Sequence, residues 1–119
     1  MEFLRALGVA KGMPERTNFY PDSLVDWDMI ETAARGIKGN CMAIAFLMKD
    51  YLVQNGVPAR NIRFKRFDFL RVYHHVWAEV CGMVVDHPNN REAAKRAPFN
   101  LYRYGRYDTE LERIWDSLN

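Results

Sequence analysis

Apolar residues recur at steps of three and four residues in three parts of the chain, which predicts amphipathic helices over residues 23–34, 41–54 and 108–118. The pattern is strongest in the second segment, which Gly56 and the following Pro58 bring to an end. A residue that can cap a helix N-terminus stands at the start of each segment. These residues are Asp22 or Ser23 for the first helix, Asn40 for the second, and Asp108 or Thr109 for the third.

Between the second and third helices the pattern changes to β-rich segments, which predicts strands over residues 61–69, 73–81 and 83–86. Only Gly82 separates the last two strands, so we expect a small antiparallel meander. The apolar positions of the first strand change phase halfway along it, which predicts a bulge near residues 65–66. Helices that flank a run of antiparallel strands indicate the α+β class, with a helix packed on a small sheet.

The remaining segments are less regular. Residues 1–21 contain two glycines and two prolines, which predicts an irregular N-terminal arm wrapped on the domain. Residues 87–98 are polar, with one short helical turn expected over 91–96. A length of 119 residues is typical of one compact domain, so we treat residues 1–119 as a single folding unit.

Composition narrows the classes of function. The chain is 49% hydrophobic and 27% charged, which is typical of a globular protein with its own core. Its formal net charge of +2 is too small to predict a nucleic-acid partner. The N-terminus lacks the apolar run of a secretory signal and no segment is long enough to span a membrane, so we expect a cytoplasmic protein with no membrane partner.

Cys41 is the strongest candidate for a catalytic residue. It is the first residue of the strongest predicted helix, where unpaired backbone N–H groups and the helix dipole favour a thiolate over a thiol. A free cysteine alone more often packs as a small hydrophobe, so the interpretation depends on its neighbours. In a reducing compartment neither of the two cysteines is expected to form a disulfide, and we interpret Cys81 as structural.

Two adjacent histidines lie on the second predicted strand. Side chains alternate between the faces of a strand, so only one of His74 and His75 can face Cys41, and the alternation does not select which. Asp86, at the end of the next strand, can accept an N–H from that histidine. A thiol, an imidazole and a carboxylate in this order are the parts that thiol catalysis needs.

These segments resemble the core of the transglutaminase-like superfamily, relatives of the papain-like cysteine hydrolases. The resemblance covers roughly residues 36–88 and rests on Gly39-Asn40-Cys41 opening a helix, Gly56-Val57-Pro58-Ala59-Arg60, His75-Val76-Trp77-Ala78-Glu79-Val80 and Val84-Val85-Asp86. It implies a transglutaminase-like or papain-like fold, with Cys41 as nucleophile, His75 as general base and acid, and Asp86 as the carboxylate that orients His75. The activity it implies is acyl transfer through a thioester on Cys41.

Other side chains are weaker candidates. Trp77, His74 and Trp27 are candidates for substrate contact, and Trp27 or Asn18 for completing an oxyanion hole. We disfavour a metal site built from the cysteines and histidines, because the paired short spacings of zinc sites are absent, and we expect no cofactor. The aromatic run Tyr102, Tyr104 and Tyr107, with Arg103 and Arg106, fits either a binding groove or a cover for the core.

A peptide or protein substrate is the expected partner, and the small size of the chain favours hydrolysis over transamidation. The alternatives are a protein-glutamine transglutaminase and a catalytically silent binding module that keeps the fold. Basic residues along the first strand, including Arg63 and Arg66, are interpreted as a solvated sheet face rather than a nucleic-acid surface. The sequence does not determine the oligomeric state.

Overall fold

The computed structural model describes residues 19–35, 41–69, 73–96 and 101–119. It confirms the α+β class. The elements, in chain order, are a 3-10 turn at Asp22–Leu24, helix α1 (Trp27–Arg35), helix α2 (Cys41–Gln54), a 3-10 turn at Ala59–Asn61, strands β1 (Ile62–Phe69), β2 (Tyr73–Val80) and β3 (Met83–Val85), helix α3 (Pro88–Arg96), a 3-10 turn at Leu101–Tyr104, strand β4 (Arg106–Tyr107) and helix α4 (Thr109–Leu118).

The four strands form one antiparallel sheet in the order β3-β2-β1-β4. Pairing between β1 and β2 runs without interruption from Ile62↔Val80 to Phe69↔Tyr73, so the predicted bulge at residues 65–66 is wrong. The apolar phase changes because the sheet is covered on both faces. Phe64 packs under the helices, whereas Phe67 packs on the opposite face.

Helix α2 covers one face of the sheet, with α1 and α4 beside it. Its buried residues include Ala45, Met48 and Leu52. The strand residues beneath the helices are almost completely inaccessible to solvent, as expected for a close-packed core. They are Ile62, Phe64, Val76, Ala78, Val80 and Val85.

A buried ion pair joins α2 to α4 within this layer. The Lys49 ammonium donates to the carbonyl of Ile62 at 3.0 Å and lies 3.4 Å from a Glu112 oxygen. The Glu112 carboxylate also accepts the Phe64 backbone N–H at 2.6 Å. The Lys49 charge further lies 5.0 Å from the centre of the Phe64 ring, so the buried ammonium has both a counter-ion and an aromatic face.

The second face of the sheet carries a smaller apolar cluster. Trp77 is its centre and is completely buried, with Val84, Ala94, Leu101 and Tyr102 around it. The chain can close over Trp77 because the next residue after the Leu101–Tyr104 turn is Gly105. A Cβ at that position would lie 2.4 Å from the indole ring of Trp77.

The ends of the helices only partly match the predicted caps. Asp108 caps α4, accepting the Leu111 N–H at 3.0 Å. The cap of α1 is Asp26, which accepts the Met29 N–H at 3.1 Å, rather than Asp22 or Ser23. The predicted helix over 23–34 therefore starts too early, because the 3-10 turn at Asp22–Leu24 precedes it. Asn40 lies outside the described residues.

The turn between β2 and β3 corrects the predicted end of the second strand, which the sequence places at residue 81. Strand β2 ends at Val80, and Cys81 is an exposed free thiol with φ of 49°, followed by Gly82 with φ of 84°. This pair of left-handed residues is the backbone of the tight two-residue hairpin turn. Cys81 is therefore a turn residue and does not lie on the His75 face of β2.

Of the predicted N-terminal arm, only the last residues lie within the described part of the chain. Phe19 bridges Val84 in parallel, and the Tyr20 N–H donates to the Val84 carbonyl at 2.8 Å, which covers the outer edge of β3. Helix α3 begins at Pro88, earlier than the short turn predicted over 91–96. Among the described residues, none of the helices has the length and apolar character needed to cross a membrane.

Candidate active site

Cys41 is the first residue of α2, as the sequence predicts, and its free thiol is half-buried against the core. Burial alone would raise the pKa of this thiol. Hydrogen bonds to the His75 side chain and to the backbone of Val76 outweigh burial, so the pKa of Cys41 is lowered from its ordinary value. A hydrogen bond that lowers the pKa of a thiol must donate to the sulfur, so the Val76 donor is its N–H.

The short length of β3 explains how a thiol and an imidazole from opposite faces of the sheet can meet. Strand β3 pairs with Ala78, Glu79 and Val80, and no strand in the described part of the chain pairs with the preceding residues of β2 at that edge. In an antiparallel ladder the N–H groups alternate in direction, so the N–H of Val76 points to this open edge. Cys41 comes to the edge from the helix side, and His75 from the other face.

His75 is buried and bonded to Asp86. Its Nε2 lies 2.5 Å from Asp86 Oδ2, within a pair whose side chains are both nearly inaccessible. Burial acts to lower the pKa of His75, but the hydrogen bonds to Asp86 and Cys41, reinforced by their charges, raise it to about 9. Because Nε2 is taken by Asp86, Nδ1 is the ring nitrogen left for the thiol. The structure therefore brings His75, and not His74, to Cys41.

Asp86 is held by more groups than the sequence predicts. Its Oδ1 accepts the His87 backbone N–H at 2.9 Å and the Asn90 amide at 3.2 Å. The Tyr102 hydroxyl donates to Oδ2 at 2.7 Å, on the same oxygen as His75. No sequence pattern around Asn90 or Tyr102 predicts these hydrogen bonds to Asp86, because each contact depends on the tertiary structure.

Two of the predicted substrate residues occupy different environments. Trp77 is completely buried, stacks on His75 with ring centres 5.5 Å apart and donates its indole N–H to Glu79 at 3.0 Å. It has no exposed surface to offer a substrate, because it is the wall behind the imidazole. His74 is exposed on the other face of β2, with Nδ1 2.8 Å from Asp68.

Arg66 is a charged neighbour of the thiol that the sequence interpretation assigned to a solvated face. A bidentate pair with Asp68 raises the pKa of Arg66, and the charges of Asp108 and Cys41 act in the same direction. Arg66 lies opposite Val76 in the β1–β2 ladder. The guanidinium pairs with Asp68 at 2.9 Å and lies 3.7 Å from Asp108, so these carboxylates largely compensate its charge.

A cleft of about 360 Å³ is lined by residues that neighbour this site, although Cys41, His75 and Asp86 do not line it themselves. His87 and Asn90, which both bond Asp86, form part of its wall, and Ile44 lies one turn beyond Cys41 on α2. Glu31 pairs with the His87 ring inside it. The full lining is Glu31, Ala34, Arg35, Ile44, His87, Asn89 and Asn90.

Trp27 lies behind the cleft, with its ring edge-on to His87 at 5.4 Å. Its indole N–H is buried and has no hydrogen-bond partner within the described part of the chain. The alternative oxyanion-hole candidate, Asn18, falls outside the described residues.

No group of three or more His, Cys, Asp or Glu side chains in the described ranges is arranged to hold a metal ion. Comparison with known proteins gave no match to a family model, to a curated protein or to a solved structure.

Proposed function

We propose that this protein is a cysteine hydrolase that cleaves a peptide or amide bond through a thioester on Cys41. The observation that carries the proposal is the connected series of the Cys41 thiol, the His75 imidazole and the Asp86 carboxylate. A thiol packed as an inert hydrophobe needs no such partners. The resemblance of residues 36–88 to the transglutaminase-like superfamily supports the same assignment.

The electrostatics favour an ion pair at rest. The pKa of Cys41 is lowered and that of His75 is raised to about 9, so both shifts favour the pair of imidazolium and thiolate over the neutral pair. The N-terminus of α2 adds positive potential at the thiol. These shifts increase the fraction of Cys41 that is present as the nucleophilic thiolate.

The reaction follows from these positions. The thiolate adds to the carbonyl carbon, and backbone N–H groups at the start of α2, that of Cys41 among them, donate to the oxygen that gains the negative charge. Collapse of this intermediate breaks the C–N bond while His75 gives its proton to the departing amine. A water molecule, deprotonated by the neutral His75, then attacks the thioester, releasing the carboxylic acid and regenerating the thiolate. The cleft beside Asp86 is the expected path for the substrate.

The test is to trap the thioester. Cys81→Asn supplies a background in which Cys41 is the only cysteine. This protein is incubated with a library of peptides and amides that carry chromogenic leaving amines, and intact mass records acylation while absorbance records turnover. We expect acyl-protein and product with this background, and neither when Cys41→Ala is added. His75→Asn should abolish both, whereas the adjacent His74→Asn, on the opposite face of β2, should leave them unchanged.

The alternatives give different results. Incorporation of a fluorescent primary amine in preference to water would make the protein a transglutaminase. The silent binding module predicts no acyl-protein with any amide, together with iodoacetamide alkylation of Cys41 that titrates at an ordinary thiol pKa near 8.5. That outcome would refute the proposed function while leaving the fold intact.

A further inference from the structure

The two oxygens of the Asp86 carboxylate are hydrogen-bonded by groups from different parts of the chain. Its Oδ1 is held by the N–H of His87 and the side chain of Asn90, both close to it in the sequence. Its Oδ2 is hydrogen-bonded to the imidazole of His75 at 2.5 Å and to the hydroxyl of Tyr102 at 2.7 Å. The oxygen that faces the imidazole is therefore fixed by a residue from a distant segment, beyond the part of the chain that resembles a known family.

The ring of Tyr102 is held firmly enough to aim its hydroxyl. Tyr102 is 4% exposed and meets Trp77 edge-on, with ring centres 5.0 Å apart. It also meets Phe19 at 5.8 Å and His75 at 6.1 Å, both at steep angles. A side chain enclosed by three rings has little freedom to turn, so the position of its oxygen is determined by packing.

We infer that Tyr102 is a positioning residue that holds Asp86 Oδ2 against the His75 imidazole. The inference rests on the proposed function, because it assigns a role within the same site. Without the hydroxyl, Oδ2 keeps its bond to His75 but loses the second group that holds it, so the carboxylate can pivot about its bonds at Oδ1 and the mean Nε2···Oδ2 distance increases. The carboxylate then stabilises the imidazolium less, and His75 is less constrained in the orientation that serves both Cys41 and the leaving amine.

The test is Tyr102→Phe, which removes the hydroxyl and keeps the ring. The matched control is Tyr107→Phe, because Tyr107 is half exposed and stacks under Arg63, away from the Asp86 bonds. NMR titration of the His75 ring protons gives its pKa without any substrate. We expect a fall of about one unit from the wild-type value for Tyr102→Phe, the order of one lost hydrogen bond to a charged group, and no shift for Tyr107→Phe.

Kinetics give a second readout. With an amide substrate we expect Tyr102→Phe to lower kcat about tenfold with KM unchanged, since the hydroxyl does not contact the substrate, and to move the alkaline limb of the kcat/KM profile to lower pH. A purely structural hydroxyl would leave the His75 pKa unchanged, and that result overturns the inference. A rise in the His75 pKa also overturns it, because it would mean that the hydroxyl weakens the carboxylate rather than holding it.

The two proposals fail separately. If wild-type protein hydrolyses no amide, the proposed function fails while the His75 titration still tests the role of Tyr102. Urea unfolding shows whether Tyr102→Phe is folded. Loss of the fold in a variant that keeps the ring would make the hydroxyl a requirement for folding and would likewise overturn the inference.

Discussion

Asp86→Asn is the substitution that most directly tests the electrostatics of the site. His75 has a pKa of about 9 against an ordinary 6.5, a difference of roughly 2.5 units, which corresponds to about 3 kcal/mol in favour of the imidazolium. Burial opposes this shift, so the hydrogen bonds and charges of Asp86 and Cys41 must contribute more than that amount. An amide has nearly the same shape as the carboxylate but no charge.

We expect the pKa of His75 in Asp86→Asn to fall to 6.5 or below. Burial lowers this pKa, and after the substitution only Cys41 still raises it. The direction for Cys41 follows from the same change. His75 lowers the pKa of the thiol, and a neutral imidazole at pH 7 can no longer do so. The midpoint of Cys41 alkylation by iodoacetamide should therefore move to higher pH, and the rate at pH 6 should fall at least tenfold.

Both quantities are measurable on one sample. NMR titration follows the three histidines, with His74→Gln and His87→Gln identifying the remaining ring as His75. Alkylation is followed by intact mass in the Cys81→Asn background. The matched control for the His75 pKa is Asp68→Asn, which removes a carboxylate from His74 rather than His75. A His75 pKa that stays near 9 in Asp86→Asn would refute the reasoning, since the charge held responsible would be absent.

Three further predictions concern stability and can be measured by urea unfolding. Gly105→Ala should destabilise the fold by about 2 kcal/mol, because the new Cβ would lie 2.4 Å from the completely buried Trp77 ring, and an unchanged midpoint would contradict this. Glu112→Ala should lower the free energy of unfolding by about 3 kcal/mol, because it leaves the buried Lys49 ammonium without its counter-ion. Adding Lys49→Met should recover part of that loss. If the effects of the two substitutions simply add, the two residues are not coupled. Cys81→Asn should stabilise by roughly 0.5 kcal/mol, since asparagine adopts the left-handed backbone at φ of 49° more readily, whereas a loss of stability would show that the thiol has a structural role.

The sequence predicts the helix that carries the thiol better than any other element. The spacing of apolar residues and the Gly56 stop place α2 at Cys41–Gln54, and the structure agrees at both ends. Such signals are local, so they are present in the sequence itself. Helix α1 was less well bounded because three acidic residues precede or open it, and only tertiary structure shows that Asp26 is the cap.

Non-local features were harder to predict. The change of apolar phase in β1 was interpreted as a bulge because one buried face was assumed, whereas the observed sheet has helices on one face and the Trp77 cluster on the other. For the same reason the sequence offers Trp77 as a candidate for substrate contact, whereas the observed ring is buried and stacks on His75. Membership of the transglutaminase-like superfamily and the hydrolytic activity stay predictions.

The site depends on where β3 ends. Were β3 to continue pairing beyond Ala78, its backbone would occupy the edge of β2 where the Val76 N–H meets the Cys41 sulfur. Its pairing ends at Val85 instead, and the next side chain, Asp86, bonds the imidazole. A thiol from the helix face and an imidazole from the Trp77 face can then share one edge. The site is therefore a consequence of unequal strand lengths, and the C-terminal segment contributes the Tyr102 hydroxyl that fixes its carboxylate.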